Sequence, residues 1–275
     1  MSSIPFPPLH LDDWRPTRDT LHGYARVVGK VRAALMPKQK HWWHITLQAA
    51  ATGLTTTPIP VDARTLELTL DMVHHRLMIA TNRGEATLIP LRGQPLAVLF
   101  GEVLSALALL EIEPDLDPSG FADGTPGVYD AGAVEGYWGA LSRIDGVFKR
   151  FKGTLRQETG PVHVFTHHFD LSLNWFSGRL VPGVDPADEE NADEQMNFGF
   201  VSGDAEIRDA YFYATAYPPP MGWTDSPLPA EAYWHSEGWT GAVLMYERLA
   251  GIAEPEQALL DFLTASWRAG AEHMK

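Results

Sequence analysis

The 275-residue sequence contains no cysteine. That excludes disulfides, thiolate metal sites and a cysteine nucleophile, and it fits a cytoplasmic setting. Long apolar runs are missing too, and none approaches the ~18 residues that a membrane span needs. The opening MSSIPFPPLH has neither the basic nor the apolar region of a signal peptide. Basic residues are scarce in one region. Residues 181–237 carry twelve Asp/Glu and only Arg208 as a base, whereas residues 1–100 carry eleven Lys/Arg against seven Asp/Glu. The net charge of -14 is therefore uneven. Phosphate contacts need clustered Lys/Arg, so this acidity argues against a nucleic-acid partner and against anionic membranes.

What is present reads as an α+β protein, with antiparallel sheets and packed helices. SIPFPPLHLDDW is Pro-rich and predicts an extended lead-in. Leu21, Tyr24, Val28, Val31 and Leu35 form one apolar stripe, predicting a helix over Thr17–Leu35 with Arg18, Arg26, Lys30 and Arg32 on its other face. Alternation predicts a strand over His41–Gly53 and another over Leu66–Met72. His74-His75 makes a hairpin corner before strands at Leu77–Thr81 and Ala86–Leu91. Helices are predicted over Leu96–Leu110, Ala133–Lys152 and from Pro255, and further strands over Gln195–Val201, Ala210–Tyr217 and Thr240–Tyr246. Residues 1–112 and 133–275 read as two halves of similar helix–sheet–helix plan, joined by the Pro/Gly/Asp-rich loop 113–132 within one compact unit. His44-Thr46-Gln48 corresponds in this pattern to His168-Asp170-Ser172, as an internal duplication would give.

The densest chemistry lies in Pro161–Arg179, PVHVFTHHFDLSLNWFSGR. Read as one strand, it points Phe169, Leu171, Leu173 and Trp175 one way and His168, Asp170, Ser172 and Asn174 the other. Ser, His and Asp on one face suggest a hydrolase, but a triad needs His between Ser and Asp, and no G-x-S-x-G elbow exists. His163, His168 and Asp170 are candidate ligands for a divalent metal, which would make a metal-dependent hydrolase, although no H-E-x-x-H motif supports them. Ser177-Gly178-Arg179 can present a guanidinium and a backbone N–H to a carboxylate or phosphate. Aromatic clusters such as His41-Trp42-Trp43-His44 beside carboxylates also suit sugars, with Asp170 paired to Glu194 or Glu237.

The leading expectation is a polar, aromatic-rimmed pocket for a small polar or anionic molecule. His168 and Asp170 would act in any catalysis, and His44, His163, Ser177, Arg179, Glu194 and Trp43 would bind the ligand. The alternative is a non-catalytic interaction protein whose acidic segment 181–237 docks a basic partner.

The words GKVR (29–32), HWWHI (41–45), GLTTTPIP (53–60), PVHVFTHHFDL (161–171), FSGR (176–179), GFVSG (199–203) and YATAYPPPMGW (213–223) resemble a bacterial family of unknown function, from Trp14 to Ala271. The resemblance implies a single unit over this length and no reaction type. Where that family often has Ser-His-Glu, this chain has Ala192-Asp193-Glu194, so a metal site using that His would be weakened here.

Overall fold

A computed structural model describes residues 6–274. The elements in chain order are α1 (Leu11–Leu35), a 3-10 turn (Lys40–Ile45), β1 (Thr46–Ala49), β2 (Gly53–Thr55), β3 (Ile59–Val61), β4 (Arg64–Asp71), β5 (Arg76–Thr81), β6 (Ala86–Pro90) and α2 (Leu96–Leu109). A 3-10 turn (Ser119–Phe121), α3 (Ala131–Lys152), β7 (His163–Phe165), β8 (Asp170–Leu180), β9 (Asp193–Val201), β10 (Tyr211–Tyr217), β11 (Ala232–His235), β12 (Gly241–Met245) and α4 (Pro255–His273) follow. The protein is α+β, and the strands within each sheet described below pair antiparallel. Among the described residues, no helix is long and apolar enough to cross a membrane.

The chain divides into two compact units. The first comprises Asp12–Trp138 and His163–Phe169, and the second comprises Gly139–Val162, Asp170 onward and the described residues up to Leu11. The division falls inside α3, and a short piece of the later chain returns to the first unit. In the first unit the strand order is β7-β1-β2-β4-β5-β6, with β3 paired to β4. Leu47, Leu54, Leu66, Leu68, Leu70 and Ile79 are fully buried there, as are Leu21, Val27, Val28 and Val31 of α1. In the second unit the order is β11-β12-β10-β9-β8. Its core is aromatic: Phe151 of α3 meets Phe198 of β9 edge-on at 5.1 Å, and α4 lies against β9 and β10.

Several expectations are corrected. The lead-in lies partly outside the described residues, and its LDDW end is already helical. Leu11 and Trp14 are buried on the same stripe as Leu21, which draws α1 six residues earlier than Thr17 with Pro16 inside it. Arg32 is not on an exposed face: it is 2% exposed, and its guanidinium donates to Thr57 Oγ1 at 2.8 Å and the Trp43 carbonyl at 3.5 Å. The strand predicted from His41 begins only at Thr46, because His41 and Trp42 hold left-handed φ values of 54° and 60°. Pro161–Arg179 is not one strand. Thr166–Phe169 is a turn, closed by the Phe169 N–H donating to Phe165 O at 2.8 Å, with Phe169 at φ 59°. β3 and β11 are short strands without a predicted counterpart.

That turn is tied to α1. His22 Nε2 lies 2.9 Å from Thr166 O, so the neutral ring donates from Nε2. The His22 ring stacks on Phe169 at 5.2 Å, and Phe169 stacks on Tyr137 at 5.4 Å. Gly29 allows the approach, since a Cβ there would collide with the Thr166 hydroxyl and lie 2.7 Å from its Cγ2. Gly29→Ala should therefore destabilise by about 1–3 kcal/mol through overpacking. Urea unfolding measures it, and adding Thr166→Ala should restore part of the loss. No difference between wild type and Gly29→Ala would refute the contact.

Candidate functional site

The residues singled out from sequence fall in separate places. In the first unit, His44 is buried and its Nδ1 accepts the Gln39 N–H at 3.3 Å. Trp43 carries Lys40 over its ring at 5.6 Å, and its carbonyl accepts from Thr46 Oγ1 at 3.0 Å. His163 on β7 is fully buried, edge-on to Phe165 at 4.7 Å. His168 sits exposed in the turn, its ring 4.3 Å from that of His167. The left-handed Phe169 separates His168 from the alternation of β8, so His168 does not belong to that strand's polar face.

In the second unit, Asp170 opens β8 and anchors a chain of buried polar groups. Tyr213 donates to Asp170 Oδ2 at 2.6 Å, the Asn197 amide donates to Tyr213 Oη at 3.4 Å, and Ser172 donates to Asn197 Oδ1 at 2.6 Å. Gly199 makes the crossing possible, because the Tyr213 ring lies where its Cβ would be. Burial, then the Asp170 charge, pushes the Tyr213 phenol well above its ordinary pKa, so it stays a hydrogen-bond donor. This network ties β8, β9 and β10 together through side chains. Arg179 stands nine residues farther along β8, roughly 30 Å away at 3.3 Å per residue. It is exposed, and its Nε and Nη2 both donate to Glu194 Oε2, at 3.0 and 2.7 Å. Ser177 Oγ accepts the Arg179 N–H at 3.3 Å. Asp170 and Arg179 thus do not line one site.

The polar residues of the β4–β5 corner are also engaged in local structure. Asp71 is buried and closes the β4–β5 corner, accepting from the His74 N–H at 3.0 Å, from Val73 N–H at 3.2 Å and from Arg76 Nε at 3.3 Å. His75 reaches Tyr129 Oη at 3.1 Å and Glu135 at 3.2 Å. Among the described residues, no group of three or more His, Asp or Glu side chains is placed to hold a metal ion.

A polar recess lies elsewhere in the first unit. A hollow of about 310 Å³ is lined by Arg26, Gly29, Lys30, Ala33 and Ile45, by Asp117 and the Ser119–Phe121 turn, and by Thr166 and His167. Arg26 and Lys30 project from one face of α1, one turn apart. Among the described residues neither makes an ion pair at hydrogen-bonding range. The Arg26 guanidinium lies 5.6 Å from the centre of the Phe121 ring. Asp117, the only acid on the hollow, accepts the Ser119 N–H at 2.9 Å and the Ser119 hydroxyl at 2.7 Å. These bonds, and weakly Lys30, hold its carboxyl below the usual range. His167 is lowered by desolvation of its ring and by His168 and His22 beside it.

Sequence reasoning had placed Arg26 and Lys30 on a basic face without assigning them a site. A stronger signal was available: residues 20–61 contain Arg26, Lys30, Arg32, Lys38 and Lys40 and no Asp or Glu. In an acidic chain such a stretch marks retained positive potential. The partners at Ser119 and His167 come from distant loops, and no local pattern announces them.

Two measurements check these geometries. Tyr213→Phe should cost about 1–3 kcal/mol in urea unfolding, because the buried carboxylate of Asp170 loses a donor. An unchanged unfolding midpoint would refute that bond. Burial lowers the His22 pKa below 6.5, partly offset by its bond to Thr166, with Arg26 and Arg18 lowering it further. A depressed folded pKa gives stability that is full above pH 6.5 and lost as pH falls through the folded value. The stability advantage of wild type over His22→Gln should therefore be larger at pH 7.5 than at pH 5, and an equal advantage at both would exclude the linkage.

No curated protein and no solved structure matches the chain. A family model does match, over residues 6–275, and the chain belongs to that family, the family of unknown function DUF5996.

Proposed function

We propose that this protein binds a small polar or anionic molecule in the hollow between α1, the Ser119–Phe121 turn and the Thr166–Phe169 turn. The observation that carries this reading is the pair Arg26 and Lys30, two cations on one hollow with no carboxylate at ion-pairing distance among the described residues. Paired cations on a structural surface commonly have acidic neighbours at i±3 or i±4, as Lys149 has in Asp145. Here the stretch around them carries none. His167, Ser119 and Thr166 add groups able to donate to the same ligand. Arg179, the cation first expected to hold the ligand, is already neutralised by Glu194.

The reading includes a cytoplasmic setting, where a chain without disulfides needs no oxidising environment. Cell fractionation that placed the native protein elsewhere would overturn that part.

Calorimetric titration at low ionic strength with citrate, acetate and inorganic phosphate tests the binding. At least one anion should bind, and the double variant Arg26→Gln/Lys30→Gln should weaken it by at least tenfold while Arg179→Gln leaves it unchanged. Equal binding by wild type and the double variant would remove the assignment.

A further inference from the structure

We propose that the hollow takes a phosphate monoester, with its phosphoryl group held by Arg26, Lys30 and His167 and a small organic group against Ala33, Ile45 and Phe121. This inference rests on the anion-binding reading and narrows it to one ligand class.

Charge balance points first to a dianion. Arg26 and Lys30 are two permanent cations, and Asp117 is the one opposing carboxylate on the hollow. Asp117 is fully exposed and already accepts two bonds from Ser119. With Asp117 engaged by Ser119, a monocarboxylate reaches one cation and leaves the other without a charged oxygen of the ligand. A phosphate monoester carries nearly two negative charges at neutral pH, since its second pKa is about 6. It would match both.

The donor geometry points the same way. A guanidinium offers a planar fork suited to two oxygens, and an ammonium acts as a point charge. Arg26 is oriented by the Phe121 ring beneath it, and Lys30 follows one turn later on the same helix face. His167 lines the same hollow from the Thr166–Phe169 turn. Its lowered pKa leaves the ring mostly neutral at pH 7, with one N–H to donate and no third full charge to be matched. Three donors from two walls suit the tetrahedral array of three terminal oxygens better than the two coplanar oxygens of a carboxylate.

Size and wall chemistry indicate the rest of the molecule. The hollow of about 310 Å³ holds the volume of roughly ten waters at ~30 Å³ each. A bare phosphate has five heavy atoms, so a substituent of similar size fits beside it. The remaining wall is Ala33, Ile45 and Phe121, apolar surface that a short carbon skeleton can cover.

The test uses the full chain at pH 7.5 with glycerol phosphate, glycerate and inorganic phosphate as probes. Glycerol phosphate should bind at least tenfold tighter than glycerate and tighter than inorganic phosphate. Arg26→Gln and Lys30→Glu should each weaken it about tenfold or more. Both side chains are exposed, so the variants should keep the wild-type thermal midpoint, which is measured alongside. If glycerate binds as tightly as glycerol phosphate, the phosphate assignment is overturned and the anion site stands. If inorganic phosphate binds as tightly as glycerol phosphate, the organic group has no place in the hollow. If no probe responds to either substitution, the anion-binding reading itself falls with it.

Discussion

The approach of α1 to the Thr166–Phe169 turn is the constraint on which the candidate site depends. Gly29 has no Cβ, so the Thr166 side chain can occupy the space beside the helix. His22, seven residues earlier on α1, bonds the Thr166 carbonyl and stacks on Phe169. Two contacts about two turns apart on one helix hold a reversal of the chain that is closed locally by a single hydrogen bond. The left-handed Phe169 is strained for a bulky residue, and it persists because stacking on His22 and Tyr137 surrounds it. The outcome is that His167 lines the same hollow as Arg26 and Lys30.

The contrast between satisfied and unsatisfied polar groups decides where a ligand is best accommodated. Asp170, Tyr213, Asn197 and Ser172 form a chain of donors and acceptors across three strands. Such a chain specifies register, because a slip of one residue would turn every member to the other face of the sheet. Arg179 and Glu194 neutralise each other at the surface, where an ion pair adds little stability. Among the described residues, Arg26 and Lys30 of α1 have no such ion pair, whereas Arg15 and Arg18 do.

Helices α2, α3 and α4 and the β4–β5–β6 meander were legible in sequence because their apolar periods are long and their turns carry recognisable residues. The polar face of β8 was also legible from Asp170 onward: Ser172 and Asn174 do share a side with it, as their bonds to Asn197 and Gln195 show. What could not be read was the conformation of single residues. His41-Trp42 and Phe169 alternate in type like strand residues, and nothing in those side chains signals a left-handed backbone. Arg32 likewise reads as surface by charge alone, but its position on the buried stripe's edge beside Thr57 encloses it, and desolvation lowers its pKa to about 10. The hollow was invisible as a motif because its members come from α1, residues 117–121 and residues 166–167. Only the gap in acidic residues hinted at it.

The discontinuity of the first unit bears on how the chain is made. β7 pairs with β1 through Thr46↔Phe165 and Leu47↔Val164. During synthesis, residues 12–138 emerge well before His163–Phe165, so β1 waits with one row of backbone donors and acceptors open. An open strand edge invites pairing with another chain. The 24 residues Gly139–Val162, which belong to the second unit, must be traversed before the edge is closed. Completion of the first sheet is therefore a late, non-local event, and the interval before it is the period in which a nascent chain is most exposed to aggregation.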